Sequence, residues 1–105
     1  MFRPFGGFGV GPDPTPPVNT VAPVVSGTPS VGSTLTTTNG TWDQAATFTY
    51  QWKRDGVDIP GSTNFNRILI GTDFGTLISC VVTATATVGG QSASMLSNSV
   101  GPITL

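Results

Sequence analysis

The sequence predicts an all-β chain: an antiparallel sandwich of about seven strands behind an extended Gly/Pro-rich N-terminal arm. Three observations carry this. From about Thr20 onward, short runs of β-branched and aromatic residues alternate with turn clusters roughly every ten residues, the spacing of a sandwich. No segment repeats its apolar residues at the period of an amphipathic helix. Thr, Ser, Val and Gly are in excess, Lys and Ala are few and Glu is absent, a composition that suits strands.

The elements follow in order. "TVAPVVSGT" (20–28) reads as a first strand, confined to a sheet edge because Pro23 has no N–H to give a ladder. "STLTTTN" (33–39) is a second, closed by the turn Asn39-Gly40. "ATFTYQWKRD" (46–55) is the clearest, with Phe48, Tyr50 and Trp52 on one side and Thr47, Thr49, Gln51 and Lys53 on the other. "RDGVDIPGS" gives a turn, a short extended piece and another turn. "NRILI" (66–70) and "TLISCVVTATAT" (76–87) are further strands, and the unbroken apolar stretch of the latter suits a strand covered on both faces. Gly89-Gly90 turns the chain into "QSASMLSNSV" (91–100), and "GPITL" continues that edge. Short connections make every pairing antiparallel. The pattern is an immunoglobulin-like antiparallel β-sandwich over residues 20–105, with residues 1–19 as an extended anchoring arm and linker.

"NGTWDQAATFTYQWKRDGVDIPGST" followed by "ILIGTDFGTLISCVVTATATVGG" resembles the bacterial and phage Ig-like repeat domains of surface and virion decoration proteins, from about Asn19 to Pro102. The resemblance implies an indole, Trp52, buried between two sheets, with Leu35, Ile68 and Leu77 in the structural core around it. It also places Asp73-Phe74-Gly75 at the corner before the sixth strand, where the Asp side chain bonds local backbone. The chain departs from antibody-type domains there. The places that hold a Tyr and a Cys, four and six residues after the Asp, hold Leu77 and Ser79. Neither a tyrosine corner nor a bridging cysteine carries over, and Cys80, the only cysteine, reads as an unpaired core residue.

Composition excludes several function classes. Four basic and five acidic residues give a net charge of −1. Arg3, Lys53, Arg54 and Arg67 form no stripe, so the electrostatic footprint of a nucleic-acid binder is absent. No run approaches the roughly 20 apolar residues that cross a bilayer, so no membrane insertion is expected. Without histidine, the usual general base and the commonest metal ligand are both missing. All carboxylates are Asp; Asp55 and Asp58 flank a turn and read as solvated turn formers rather than calcium ligands. "GGFGVG" has neither the strand before it nor the helix after it that a phosphate loop needs. The Ser and Thr hydroxyls lack an activating base. The expectation is a protein without enzymatic activity, metal or cofactor.

The arm is the unusual part. Nine of the first seventeen residues are Gly or Pro, yet Phe2, Phe5 and Phe8 recur at a spacing of three. In polyproline II geometry these share one side and form an apolar ridge with Arg3 beside it. Burying three Phe side chains releases about 5–9 kcal/mol before ordering costs, whereas leaving them in water invites aggregation. "GPDPTPPVNT" (11–20) is stiffer and serves as a spacer. Gly and Pro interrupt Met1–Val10 before a signal-peptide apolar run forms, so synthesis in the cytoplasm, or export as part of something larger, is expected.

Together these features give the expectation of a structural bacteriophage virion protein, made in the host cytoplasm and resident in the virion as a capsid decoration or fibre-like component. Phe2, Arg3, Phe5 and Phe8 would bind other virion proteins of capsid or tail, in many copies and with homo-oligomers admitted. The Ig-like domain would project outward for weak host-surface or glycan attachment. The alternative is a bacterial cell-surface adhesion or carbohydrate-binding module, in which Trp42 stacks on a sugar face. Packing of Trp42 against the sandwich edge is the other reading of that residue.

Overall fold

The computed structural model describes residues 14–105. Nine strand segments follow one another: β1 (Asn19–Val21), β2 (Val25–Ser26), β3 (Thr34–Thr37), β4 (Thr41–Trp42), β5 (Ala46–Arg54), β6 (Val57–Asp58), β7 (Asn66–Ile68), β8 (Ile78–Ala86) and β9 (Ser92–Leu96). The chain is all-β, and every ladder between named strands is antiparallel. Three strands form one sheet in the order β2-β3-β7, four form a second in the order β6-β5-β8-β9, and β1 pairs with β4.

The two main sheets share one core. Val25, Leu35 and Leu69 come from the three-stranded side, and Trp52, Ile78 and Cys80 from the four-stranded side, with Ile59 and Ile103 completing the buried cluster. The register explains the selection. Trp52 stands opposite Cys80, Tyr50 opposite Val82 and Phe48 opposite Ala84, so these residues share the inner face, while Thr47, Thr49 and Gln51 take the outer one. Burial of Trp52 removes its indole from water, and its Nε1–H donates to the Asn64 carbonyl oxygen at 2.6 Å. Its backbone N–H donates to the Ser62 carbonyl and its own carbonyl accepts from Ile59, so Trp52, together with Gln51 Nε2 donating to the Ile59 carbonyl, fixes the Ile59–Asn64 loop to β5.

Two expected core residues lie outside. Leu77 is 44% and Ile68 63% exposed, and their places are taken by Ile78 and Leu69. The cause is strand parity. Even-numbered residues of β8 face inward, which turns Leu77 out, and the pairing of Arg67 with Leu35 turns Ile68 to the outer face opposite Thr34. The first expected strand is divided instead of continuous. Pro23 lies buried between β1 and β2, and the chain changes pairing partner there, from β4 to β3. β8 is covered on its inner face, while Val81, Thr83 and Thr85 on its outer face are only half-buried.

The strand ends are tied by side chains that imitate backbone. Asn98 accepts from the Val25 N–H at 2.7 Å and donates to its carbonyl at 3.0 Å, bridging β2 to the chain that leaves β9. The β5–β6 hairpin has a two-residue loop, Asp55-Gly56, with φ of 51° and 82°, and this doubly left-handed geometry is what Gly and Asp tolerate best.

Candidate docking surfaces

Phe2, Arg3, Phe5 and Phe8 lie outside the described residues; the root of the arm lies within them. Gln91 Nε2 donates to the Pro14 carbonyl and Gln44 Nε2 to the Thr15 carbonyl, both at 3.0 Å. Val18 and Asp43 form a reciprocal pair: the Val18 N–H donates to Asp43 Oδ1 and the Asp43 N–H to the Val18 carbonyl. Pro17 is fully buried. Gly89 permits this seating, because a Cβ there would lie 2.5 Å from Pro14 Cβ. The spacer is therefore clamped from Pro14 onward, at the end of the sheet that carries the β8–β9 turn.

The outer face of the four-stranded sheet is a regular hydroxyl surface. Thr47, Thr85 and Ser92 form one cross-strand row and Thr49, Thr83 and Ser94 the next. Thr83 and Ser94 share a hydroxyl hydrogen bond of 2.7 Å, and Thr85 and Ser92 one of 2.8 Å. A third row, Gln51, Val81 and Leu96, is more apolar. Lys53, beyond it, pairs with Asp58 on β6 at 2.7 Å. Apart from that exposed pair the face is uncharged.

Trp42 is half-buried on β4, opposite Asn19. Its indole N–H donates to the Asn39 carbonyl at 2.8 Å, and the Asn39 side chain accepts from the Tyr50 hydroxyl at 2.5 Å. These bonds occupy the polar ends of both aromatics. Burial pushes the Tyr50 phenol above its ordinary pKa, and Cys80 adds to the effect.

The strongest electrostatic feature is the corner before β8. Asp73 is fully buried and bonds both Arg54 Nε at 2.9 Å and Arg67 Nη2 at 2.8 Å, while the Ile70 N–H donates to it at 2.9 Å. Burial alone would raise the carboxyl pKa. The Ile70 amide and the two guanidinium groups outweigh it and hold Asp73 below its ordinary value. The expected local backbone bond is present, and the sequence reading missed the two arginines. Leu35, Trp52 and Leu69 are buried as a core; Leu77 is not part of it.

Among the described residues no group of three or more His, Cys, Asp or Glu side chains is placed to hold a metal ion, and no helix is long and apolar enough to cross a membrane. Cys80 is a buried free thiol whose pKa burial pushes up to about 11. It stays protonated at neutral pH and inert. In the folded protein a disulfide reagent such as dithionitrobenzoate is expected to label Cys80 only as fast as the chain unfolds, whereas denatured protein reacts within the mixing time. Rapid stoichiometric labelling under native conditions would contradict this burial.

Comparison of the chain with protein-family models, with curated proteins and with solved structures finds no match.

Proposed function

We propose that this chain is a structural component of a bacteriophage virion, a capsid decoration or fibre-like protein, in which the N-terminal arm docks on the particle through Phe2, Arg3, Phe5 and Phe8 and an immunoglobulin-like domain projects outward. The observation that carries this reading is the seating of the arm's root, where the Pro14 and Thr15 carbonyls are held by Gln91 and Gln44 and Pro17 is buried. Among the described residues the buried core draws on residues 17–103. The spacer is clamped to the domain by Gln44, Asp43 and Gln91. A pull on the arm is thereby passed to a fixed point of the sandwich and not to a slack tether.

The strand orders support the Ig-like part of the reading. β2-β3-β7 facing β6-β5-β8-β9 corresponds to the A-B-E and C′-C-F-G arrangement of such sandwiches, with Trp52 on the C strand and Asp73 at the corner before F. The quiet chemistry of the described residues suits a scaffold. Multiple copies on a lattice would make a weak contact of the projecting hydroxyl face effective through avidity.

The test is deletion of residues 2–10 followed by co-assembly with the parent particle. The truncated chain is expected to keep its β circular dichroism and its unfolding transition and to be absent from purified particles. Truncated protein that still decorates them refutes the arm's role.

A further inference from the structure

We propose that the open edge of β7 is the receiving site for the arm of a second copy of this chain, with Gly7–Gly11 adding as a strand beside Asn66–Ile68. This rests on reading the N-terminal arm as a docking element, and it names one partner for that arm.

β7 is the end strand of its sheet, with β3 as its only ladder neighbour among the described residues. The bonds Thr37 N–H to the Phe65 carbonyl and Leu69 N–H to the Ser33 carbonyl show that odd-numbered residues bond toward β3. By antiparallel alternation, the N–H and C=O groups of Asn66 and Ile68 point away from β3. Four backbone groups thus face outward on exposed residues. Beside them runs a groove of about 300 Å³, floored by β7 and walled by the Pro60–Asn64 loop. That wall is firm, because Trp52 holds it through Ser62 and Asn64. An unpaired edge with a fixed wall is the geometry in which extended peptides add as strands.

The arm matches this groove in pattern. Gly7, Gly9 and Gly11 alternate with Phe8 and Val10. In an extended strand the three glycines share one face and the two apolar side chains the other. The bare face fits against the Pro60–Asn64 loop, where backbone must approach closely. The apolar face then lies beside Ile68, which is 63% exposed and has no apolar neighbour across its own ladder, where it meets Thr34. Aromatic and β-branched cross-strand pairs of this kind are favourable.

The occupant is a second copy because of where the arm begins. Pro14 is held by Gln91 at the β8–β9 turn, whereas the groove lies on the side of β6 and β7, the opposite edge of the four-stranded order. Gly11 is three residues from Pro14, roughly 10 Å of extended chain, whereas the groove wall hangs on Trp52, six residues or roughly 20 Å along β5 from Ala46 beside that turn. To enter its own groove, the arm would have to reverse over the domain with only Pro12 and Asp13 as a leash between Gly11 and Pro14, which is too short for that path. A neighbour's groove requires no such reversal. The resulting contact joins different surfaces of successive copies, which closes a ring or extends a row according to the rotation between them.

The experiment uses the full chain. Sedimentation velocity is run over a concentration series, with amide hydrogen exchange of Asn66 and Ile68 read at each concentration. Mass and protection of these two amides are expected to rise together. Gly9→Val, which fills the bare face, and Phe8→Ser are each expected to weaken association about tenfold. Both lie outside the described domain, so an unchanged unfolding midpoint shows that the fold is intact. Ile68→Asp tests the receiving side with the same readouts. A chain that stays monomeric with freely exchanging edge amides, or whose edge is protected independently of concentration, overturns the proposal. A chain that joins its particle yet never self-associates also overturns it and leaves the particle reading standing. One that associates through the edge and decorates no particle does the reverse.

Discussion

Asp73→Ala is expected to lower the unfolding free energy by about 3–5 kcal/mol at pH 7, the range for breaking a buried ion pair from one side. The size follows from what is left behind. Arg67 is only 10% exposed at its side chain and sends two bonds to the Asp73 carboxylate, so removal of that carboxylate strands a guanidinium that water does not easily reach. Arg54, 25% exposed, can turn toward solvent and costs less. The Ile70 N–H loses its acceptor as well. The pH dependence has a definite sign. Asp73 has a lowered pKa in the folded state, so its stabilisation is fully present above the ordinary unfolded value near 3.8 and is lost as pH falls through the lower folded value. The gap between wild type and Asp73→Ala, measured by urea denaturation, should be widest above about pH 5 and narrow as pH drops below about 4. A gap that is constant from pH 3 to 6 would show that the aspartate acts through shape and not through charge.

The arginine partners were legible in principle. Arg54 follows Trp52 at inward parity on β5, and Arg67 occupies the inward position opposite Leu35. A cation on the apolar side of a strand needs a buried counter-charge, and Asp73, six residues from Arg67 at a glycine-bearing corner, is one of the carboxylates close enough in sequence to supply it. Alternation fixed the faces of β5 well, because large apolar and polar residues strictly interleave from Thr47 to Lys53. It failed at "TLISC" and "RILIG", where apolar residues are adjacent and either parity looks equally apolar. Register with the neighbouring strand decides such cases, and register is not local. The division of the first strand at Pro23 is of the same kind: a proline forbids a central ladder position, but only the assembled sheets determine which neighbour each half joins.

The candidate docking surfaces were legible to different degrees. The Phe spacing and the glycine alternation of the arm stand in the sequence itself. The hydroxyl rows follow from the polar side of β5, yet their extension over Thr83, Thr85, Ser92 and Ser94 requires knowing that β8 and β9 lie beside it in that register. The open edge of β7 left no sequence signal. Among the described residues it is open because β6 ends at Asp58 in the other sheet and the Pro60–Asn64 loop forms no ladder with β7. An edge is a property of what is missing beside a strand, and composition does not record that.

Trp52→Ala is the second large effect, about 3–5 kcal/mol, as for other large buried aromatics truncated to Ala. Against a total stability of roughly 5–15 kcal/mol for a domain of this size, that is enough to leave the chain partly unfolded at 37 °C. The loss has two separable parts. Most comes from the cavity between Leu35, Ile78 and Cys80, because interiors packed to crystal density relax only partially around a void. A smaller part, about 0.5–1.5 kcal/mol, is the hydrogen bond from Nε1 to the Asn64 carbonyl. Trp52→Phe keeps most of the apolar volume and loses that bond, so it should fall well short of the alanine variant in urea denaturation. The two substitutions also differ at the surface. Both release Asn64, but only the alanine variant loosens the packing that holds β5 against the Ile59–Asn64 loop, whose Pro60–Asn64 part walls the β7 groove. Amide exchange at Ser62 should therefore accelerate strongly in Trp52→Ala and modestly in Trp52→Phe at a temperature where both remain folded. If Trp52→Ala costs less than about 1 kcal/mol, the indole is not the centre of the core, and the rigidity assigned to the groove wall has lost its cause.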